Sequence, residues 1–543
     1  MKSTQLTFRN IASSDSYHLS NPISVYTRNM IAQHNEFDFI VIGGGPAGCA
    51  VAARLAGSAK APSVLLVEAG GPNSDKNLRV DGERWTSLMN PSMNWSYKTT
   101  SQPELNNREI DYSRGKGLGG SSAINFSVYD VGPADDFEEI ARLADDPSWG
   151  WNYAQQRFKA LETFHAQAPA LNEKYVQAKP EDHGSAGKLH IGFAKVAERS
   201  FGDTLRAFEE SGCKLNPDIN SGDPLGWGPC PSSAYNGLRT TSADLVLDGP
   251  SNLTVMTDQK VNRIIFEESS TKAIGIETDA TTFYAAKEIV LSCGSLDTPK
   301  LLLLSGVGPA DELKKLDIPV VQDVKYIGKG LRDHIHIDVL WKRADHTSDK
   351  WRYYRSPEAI AAARKQWEKD QTGPLAEFNC SFVISFNKSE QILGSKEFDA
   401  LSNEVKQHLQ AKTVPLYETI VNCIDFRDVM DPTQSEASMP VYIFLLNGQS
   451  RGEVTLRSKD PKDPPVSNPR YLSDPFDRRV AIEATRETMH LMQSPAFSKD
   501  TTGIVKLPKS DSDEDILEYW RANTVSTWHM GKHERTSILL FLG

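Results

Sequence analysis

The sequence predicts an α/β fold, α+β overall, in which a domain on a parallel sheet is joined to a second domain on an antiparallel sheet flanked by helices. Three observations lead there. The chain has 543 residues, beyond the roughly 250–300 at which a single core stops growing. Near its start, a short β-branched apolar run, a glycine cluster and a small-residue helical segment follow one another, which is the order of a strand–turn–helix unit. Its later half carries alternating apolar runs separated by glycine and proline, the pattern of antiparallel strands.

Composition narrows the class. At 39% hydrophobic and 24% charged residues the chain has material for packed cores and is not disordered. A formal net charge of -11 without a Lys/Arg stripe argues against a nucleic-acid partner, which calls for a clustered basic surface. Cys49, Cys213, Cys230, Cys293, Cys380 and Cys423 are scattered without C-x-x-C pairs, so neither a zinc site nor a disulfide framework is indicated. The first thirty residues lack a secretory apolar run. The longest uncharged stretch, Phe39 to Ala53, is broken by glycines and falls short of the roughly 20 apolar residues of a membrane span. The expectation is an intracellular, cytoplasmic protein without a membrane span, with a poorly ordered lead-in over residues 1–35.

The first unit is the most informative. Phe37 to Ile42 reads as a buried parallel strand. In Gly43-Gly-Gly45-Pro-Ala-Gly48 the first glycine serves a tight turn, the second lets a pyrophosphate approach the backbone, and the third lets the helix pack against the strand. Cys49 to Ala56 then forms a helix whose N-terminal N–H groups and dipole face the phosphates. Ser63 to Glu68 returns as the second strand. Glu68 stands about 20 residues past Gly48, where an acid accepts hydrogen bonds from ribose hydroxyls. The unit is a Rossmann-like dinucleotide site, and by itself it does not separate FAD from NAD.

Two further clusters follow. Ser113-Arg-Gly-Lys-Gly-Leu-Gly-Gly-Ser-Ser-Ala-Ile-Asn125 offers backbone and hydroxyl contacts to an anion. Glu288-Ile-Val-Leu-Ser292 and Gly294-Ser-Leu-Asp-Thr-Pro-Lys-Leu-Leu-Leu-Leu-Ser-Gly-Val-Gly308 read as strand, turn, helix, turn. In order and spacing the two clusters resemble the signature motifs of the glucose-methanol-choline oxidoreductases. The resemblance extends through Asn125-Phe-Ser-Val-Tyr129 and Gly328-Lys-Gly-Leu-Arg-Asp-His334, and covers Phe37 to about His529.

That resemblance implies FAD as cofactor, and oxidation of a small or medium organic alcohol by hydride transfer to flavin N5, with oxygen or a quinone as acceptor. It implies cofactor contacts at Gly43, Gly45, Gly48, Glu68 and Ala69. Gly119, Ser121, Asn125, Phe126, Ser127 and Val128 match the loop beside the flavin ring, and Val261 matches an adenine contact. Some members tether the flavin through a histidine just before the loop asparagine, and Ile124 stands there, so non-covalent FAD is expected.

The later half resembles the family's substrate domain. It shows a helix near Pro357 to Lys369, a break at Gly373-Pro374, and the alternating Phe382 to Phe386. Pro440 to Leu446 and Gly452 to Ser458 read as two strands joined by a glycine turn, with a helix from Pro475 to Met492 packed behind. Trp351, Tyr353, Tyr354, Phe378 and Phe382 are candidates to line an apolar pocket, against the plainer reading of core aromatics.

Alcohol oxidation needs a base for the hydroxyl proton, and His529, after a helix from Glu514 to Arg521, resembles the family's catalytic histidine. His334 and His336 are spaced for a metal pair, but no third ligand accompanies them and no metal is expected. After His529 the family continues through a second catalytic His or Asn, whereas this chain reads Met530 to Gly543. His533 lacks the surrounding motif. The expected layout is a mainly FAD-binding region over 36–335, a mainly substrate region over 336–528, and an atypical tail over 529–543. A catalytically impaired member or gene-model product with a shortened end, and an FAD-retaining lyase of the same fold, stand as alternatives.

Overall fold

The computed structural model describes residues 35–167, 173–193, 199–377, 382–431, 433 and 436–532. The expected lead-in up to residue 34, Phe378, Cys380 and the tail from His533 lie outside these residues.

The strand–turn–helix unit forms as its pattern predicts. Strand β1 (Glu36–Ile42) leads into helix α1 (Pro46–Ala56), and β2 (Val64–Val67) returns parallel to β1. Further along come β3 (Leu253–Met256), β4 (Val261–Phe266), β5 (Ala273–Thr278), β6 (Thr282–Leu291) and helix α2 (Gly294–Leu304). The six strands form one sheet in the order β3-β2-β1-β6-β5-β4. It is parallel from β3 to β6 and antiparallel from β6 to β4. The switch follows from the connections, because β4, β5 and β6 succeed one another through short turns, and only antiparallel neighbours can be joined that way.

Both faces of the central strands are buried, which is why they read as continuous apolar runs. Ile40, Ile42, Leu65 and Val67 pack with Leu301 of α2. Val41, Val64 and Leu66 pack with Cys49, Ala52 and Ala56 of α1. The small residues of α1 let it lie close to the sheet.

The second body contains β7 (Lys329–Arg332), β8 (Ile335–Arg343), β9 (Val383–Asn387), β10 (Tyr417–Val421), β11 (Ser438–Leu445), β12 (Gly452–Thr455) and β13 (Val466–Asn468). Helix α3 (Pro475–Gln493), β14 (Thr501–Lys506), helix α4 (Asp513–Asn523), β15 (Val525–Ser526) and β16 (Gly531–Lys532) complete it. An antiparallel sheet runs β9-β10-β11-β8-β14, with β15 paired to β8. One face presents Ile337, Val339, Val441 and Ile443 to Val480, Ala481 and Ala484 of α3. The other carries His336, Phe444, Glu418 and Phe386 in one cross-strand row.

The strands expected over Pro440–Leu446 and Gly452–Ser458 both form, and the turn between them leads from one sheet into another. Strand β12 pairs with β7 and β13 in a separate sheet of order β13-β12-β7-β16. The reason lies in the connection: the Asp477 carboxylate of α3 accepts the N–H groups of Gln449 and Ser450. The turn is thereby tied to α3 and carries the chain away from β11.

The aromatic candidates take the plainer of their two readings. Tyr353 and Tyr354 are buried with Val80, Trp367 and Leu375, and Phe382 is buried with Ile384 and Ile420. None of these, nor Trp351, lines either of the two cavities described below. Among the described residues no helix is long and apolar enough to cross a membrane.

Candidate active site

The glycine turn after β1 divides its work in measurable ways. Gly43 has φ +99°, a left-handed conformation that favours glycine. A Cβ on Gly48 would sit 1.9 Å from the Gly43 carbonyl oxygen, so close helix–strand packing excludes any side chain there. A Cβ on Gly45 would meet nothing nearer than Gly120 Cα at 3.9 Å. Open space therefore lies over Gly45, where a ligand can approach the backbone.

Glu68 closes the same turn from below. It is 7% exposed. Its Oε2 accepts the Gly44 N–H at 2.7 Å, and its Oε1 accepts those of Gly70 and Gly117 at 2.9 Å each. A carboxylate offers about four acceptor positions. Two of them join the two glycine loops, a third holds Gly70 just past β2, and one remains for a ligand hydroxyl. The loops are also joined directly, the Gly119 N–H donating to the Gly44 carbonyl at 2.8 Å.

Above these loops lies a cavity of about 1170 Å³. Gly43, Gly45, Glu68, Ala69, Ser121 and Val261 line it, together with Lys260, Asp297, Lys300 and Arg114. Gly48 and Gly119 do not line it. Asn125, Phe126, Ser127 and Val128 are not among its lining residues. They continue from its Ser121 end, where Phe126 stacks on Trp528 at 6.4 Å and Val128 packs against the sheet face that bears Phe444.

Arg114, inside a quoted motif but not singled out from sequence, organises that end. Its guanidinium donates to Ser121 Oγ and to the Trp528 carbonyl, and lies 2.8 Å from Met530 Sδ. Asp333 is the second such residue. It accepts hydrogen bonds from the Ser526 and Tyr471 hydroxyls and from the His529 backbone N–H, the last at 3.0 Å. Trp528 is thereby held at φ +58°, a conformation rare for a bulky residue and maintained only where the surroundings over-determine it. Its indole N–H donates to Asp111 at 2.7 Å.

His529 lines a second cavity of about 260 Å³ with Asp333, His334 and Asp477, and Gly531 lines both cavities. His529 itself lines only the smaller one and is exposed to solvent. Desolvation by the protein packed around the ring, with the Arg114 charge and His336 nearby, pushes its pKa down to about 4. It is a neutral imidazole at pH 7, ready to accept a proton. His334 stands ring-to-ring with His529 at 5.6 Å, while His336 is buried against Phe444 at 4.8 Å.

Family models for the N- and C-terminal domains of the GMC oxidoreductases match residues 37–336 and 448–539. This chain is a GMC oxidoreductase. Among its GMC relatives are the glucose methanol choline oxidoreductase atC of Aspergillus terreus, 29% identical over 92% of this chain and 83% of that one. An alcohol dehydrogenase [acceptor] of Pseudomonas putida is 29% identical over 91% and 85%, and an oxygen-dependent choline dehydrogenase of Stenotrophomonas maltophilia is 30% identical over 86% and 79%. In three dimensions the GMC chain superposes on an Aspergillus oryzae formate oxidase with a TM-score of 0.80 at 25% identity, covering 92% of this chain and 88% of that one.

As a GMC oxidoreductase the protein uses FAD and oxidises the CH–OH group of alcohols. The site fits such a cofactor. The cavity exceeds the roughly 300–1,000 Å³ of typical ligand pockets, as an extended dinucleotide requires. The clear space over Gly45, the spare acceptor on Glu68, and the cations Lys260, Lys300 and Arg114 along the wall suit a molecule with a ribose and a diphosphate.

Proposed function

We propose that the protein oxidises a small or medium, largely apolar alcohol with FAD held non-covalently, and that His529 takes the hydroxyl proton. The observation that carries this reading is the neutral imidazole of His529 on the wall of the smaller cavity, two residues before Gly531, which lines both cavities, and on a backbone held by Asp333 and Arg114. Bound FAD supplies the hydride acceptor. Everything else is done by the chain.

Gly43, Gly45 and Gly48 shape the diphosphate turn, Glu68 and Ala69 meet the adenosine ribose, and Val261 borders the adenine. Gly119 and Ser121 with the segment Asn125–Val128 border the flavin ring. Ile124, at the position of the tethering histidine in some relatives, is 4% exposed and packs with Met93 and Ala123. It has no nucleophile to offer, which supports release of intact flavin on denaturation.

The substrate side is aromatic. Phe126 lies against Trp528 and, at 5.6 Å, against Phe426. Glu418, in the cross-strand row with Phe444, is pushed by burial and by Asp130 to a pKa of about 8, so its carboxyl is mostly protonated at pH 7. An uncharged, apolar alcohol suits these surroundings. Oxygen or a quinone serves as acceptor, in keeping with relatives named for either an acceptor or oxygen dependence.

His529→Ala tests the assignment. Flavin content should stay at the wild-type level while kcat falls by roughly 10²–10⁴. A variant within threefold of wild type in kcat removes His529 from the chemistry.

A further inference from the structure

Behind the ring-side loop lies a closed hydrogen-bond circuit that the reaction scheme does not use. The Tyr129 hydroxyl donates to Glu162 Oε2 at 2.7 Å. Glu162 Oε1 faces His183 Nδ1 at 3.3 Å and accepts the Gly184 N–H at 2.9 Å. On the other side of the ring, His183 Nε2 faces Asp218 Oδ2 at 3.2 Å. Asp218 accepts the Asn220 N–H at 3.1 Å, and the Asn220 side chain returns to the loop, donating to the Tyr129 carbonyl at 3.2 Å and accepting the Val131 N–H at 2.9 Å. Glu162 is 2% and His183 9% exposed.

The ring nitrogens decide the charge. Each points at a carboxylate, and an ionised carboxylate only accepts, so both nitrogens must carry hydrogen. A neutral imidazole has one N–H and would set a lone pair against one of the acids. We infer that His183 is a positioning residue, a standing imidazolium that ties Glu162 to Asp218 and so fixes the loop from Asn125 to Val131 beside the flavin. The inference rests on the proposed flavin-side placement of that loop.

The groups facing His183 are Glu162, Asp218, the phenol of Tyr129 through Glu162, and the Phe164 ring stacked on it at 3.8 Å. The neighbouring Asp182 turns to Gln155 at 3.1 Å. Burial works to lower the imidazole pKa, but Asp218 and Glu162 outweigh it and raise it to about 9. The clamp is therefore intact at neutral pH and opens as pH rises through about 9.

The test is a titration of histidine-labelled holoenzyme by NMR together with kcat profiles from pH 6 to 10.5. One imidazole should titrate near 9 in the wild type, and the wild-type kcat should fall with the same midpoint. In His183→Gln the limb near 9 should vanish, with kcat at pH 7 lowered by roughly 10- to 100-fold through loop misplacement. His183→Lys should restore part of that loss and move the limb above 9. A wild type in which no imidazole titrates above pH 8 overturns the clamp without reference to any variant. A His183→Gln enzyme that keeps both the wild-type kcat and the limb overturns it too. Failure of the functional reading looks different, as a wild type that carries no reducible flavin while the imidazole still titrates near 9.

Discussion

Glu68→Gln isolates the contact that holds the cofactor turn together. The carboxylate takes three backbone N–H groups, two on Oε1 and one on Oε2. An amide has one oxygen. If it faces Gly70 and Gly117, the new NH₂ group meets the Gly44 N–H at a position now 2.7 Å away; if it faces Gly44, the other two donors are stranded. The milder arrangement loses one charge-assisted hydrogen bond, about 1.5–3 kcal/mol, and leaves a buried donor unmet, a further 1–3 kcal/mol or so. A total of about 2.5–6 kcal/mol is expected, divided between fold stability and FAD binding. Each 1.4 kcal/mol or so that falls on binding weakens it about tenfold. Guanidinium unfolding of the apo protein and flavin fluorescence titration read the two parts. A variant that loses less than about 1 kcal/mol in stability and binds FAD within threefold of wild type would refute the reasoning.

The paired glycine variants separate space from packing. Gly45→Ala should fold as wild type but bind FAD poorly, because its Cβ enters the space a diphosphate needs, whereas Gly48→Ala should fail to yield folded protein, its Cβ meeting the Gly43 carbonyl at 1.9 Å; soluble expression and flavin content distinguish them. His336 is held neutral by burial, its pKa lowered to about 3. The unfolded chain takes up a proton there below about 6.5, so stability should be unaffected above that pH and decline as pH falls toward 3, by a few kcal/mol in all. His336→Leu should flatten that slope in acid-titration unfolding curves. Asp333→Asn should leave flavin bound but lower kcat, since the amide cannot accept the His529 N–H and both hydroxyl donors in the same arrangement; unchanged kcat would show that His529 needs no such support.

The parts of the protein that were readable from sequence are those built from neighbours in the chain. The turn between β1 and α1, and Glu68 at the end of β2, lie within one short stretch, so residue type and spacing specify them. The carboxylate's three backbone partners already extend to Gly117, 49 residues away, and were not foreseen. Arg114 and Asp333 stood in recognised motifs, yet their roles depend on partners 414 and 196 residues distant. Spacing carries no information about such contacts. The direction of the β11–β12 turn, which carries the chain from one sheet to another, is set by Asp477, 28 residues from Gln449, and is not legible in the local sequence. For Tyr353, Tyr354 and Phe382 the two readings stay open until the structure places them in cores, because an aromatic in a core and one on a cavity wall look alike in a sequence.

The central claim is that this chain holds FAD and reduces it with an alcohol's hydride. The direct measurement is the visible spectrum of the purified protein, reconstituted with FAD and mixed without oxygen with a panel of primary and aromatic alcohols. The expected result is a bound flavin spectrum that bleaches with at least one alcohol, and bleaches roughly 10²–10⁴ times more slowly in His529→Ala. A flavin that stays oxidised with every alcohol, or that bleaches equally fast without His529, would contradict the account.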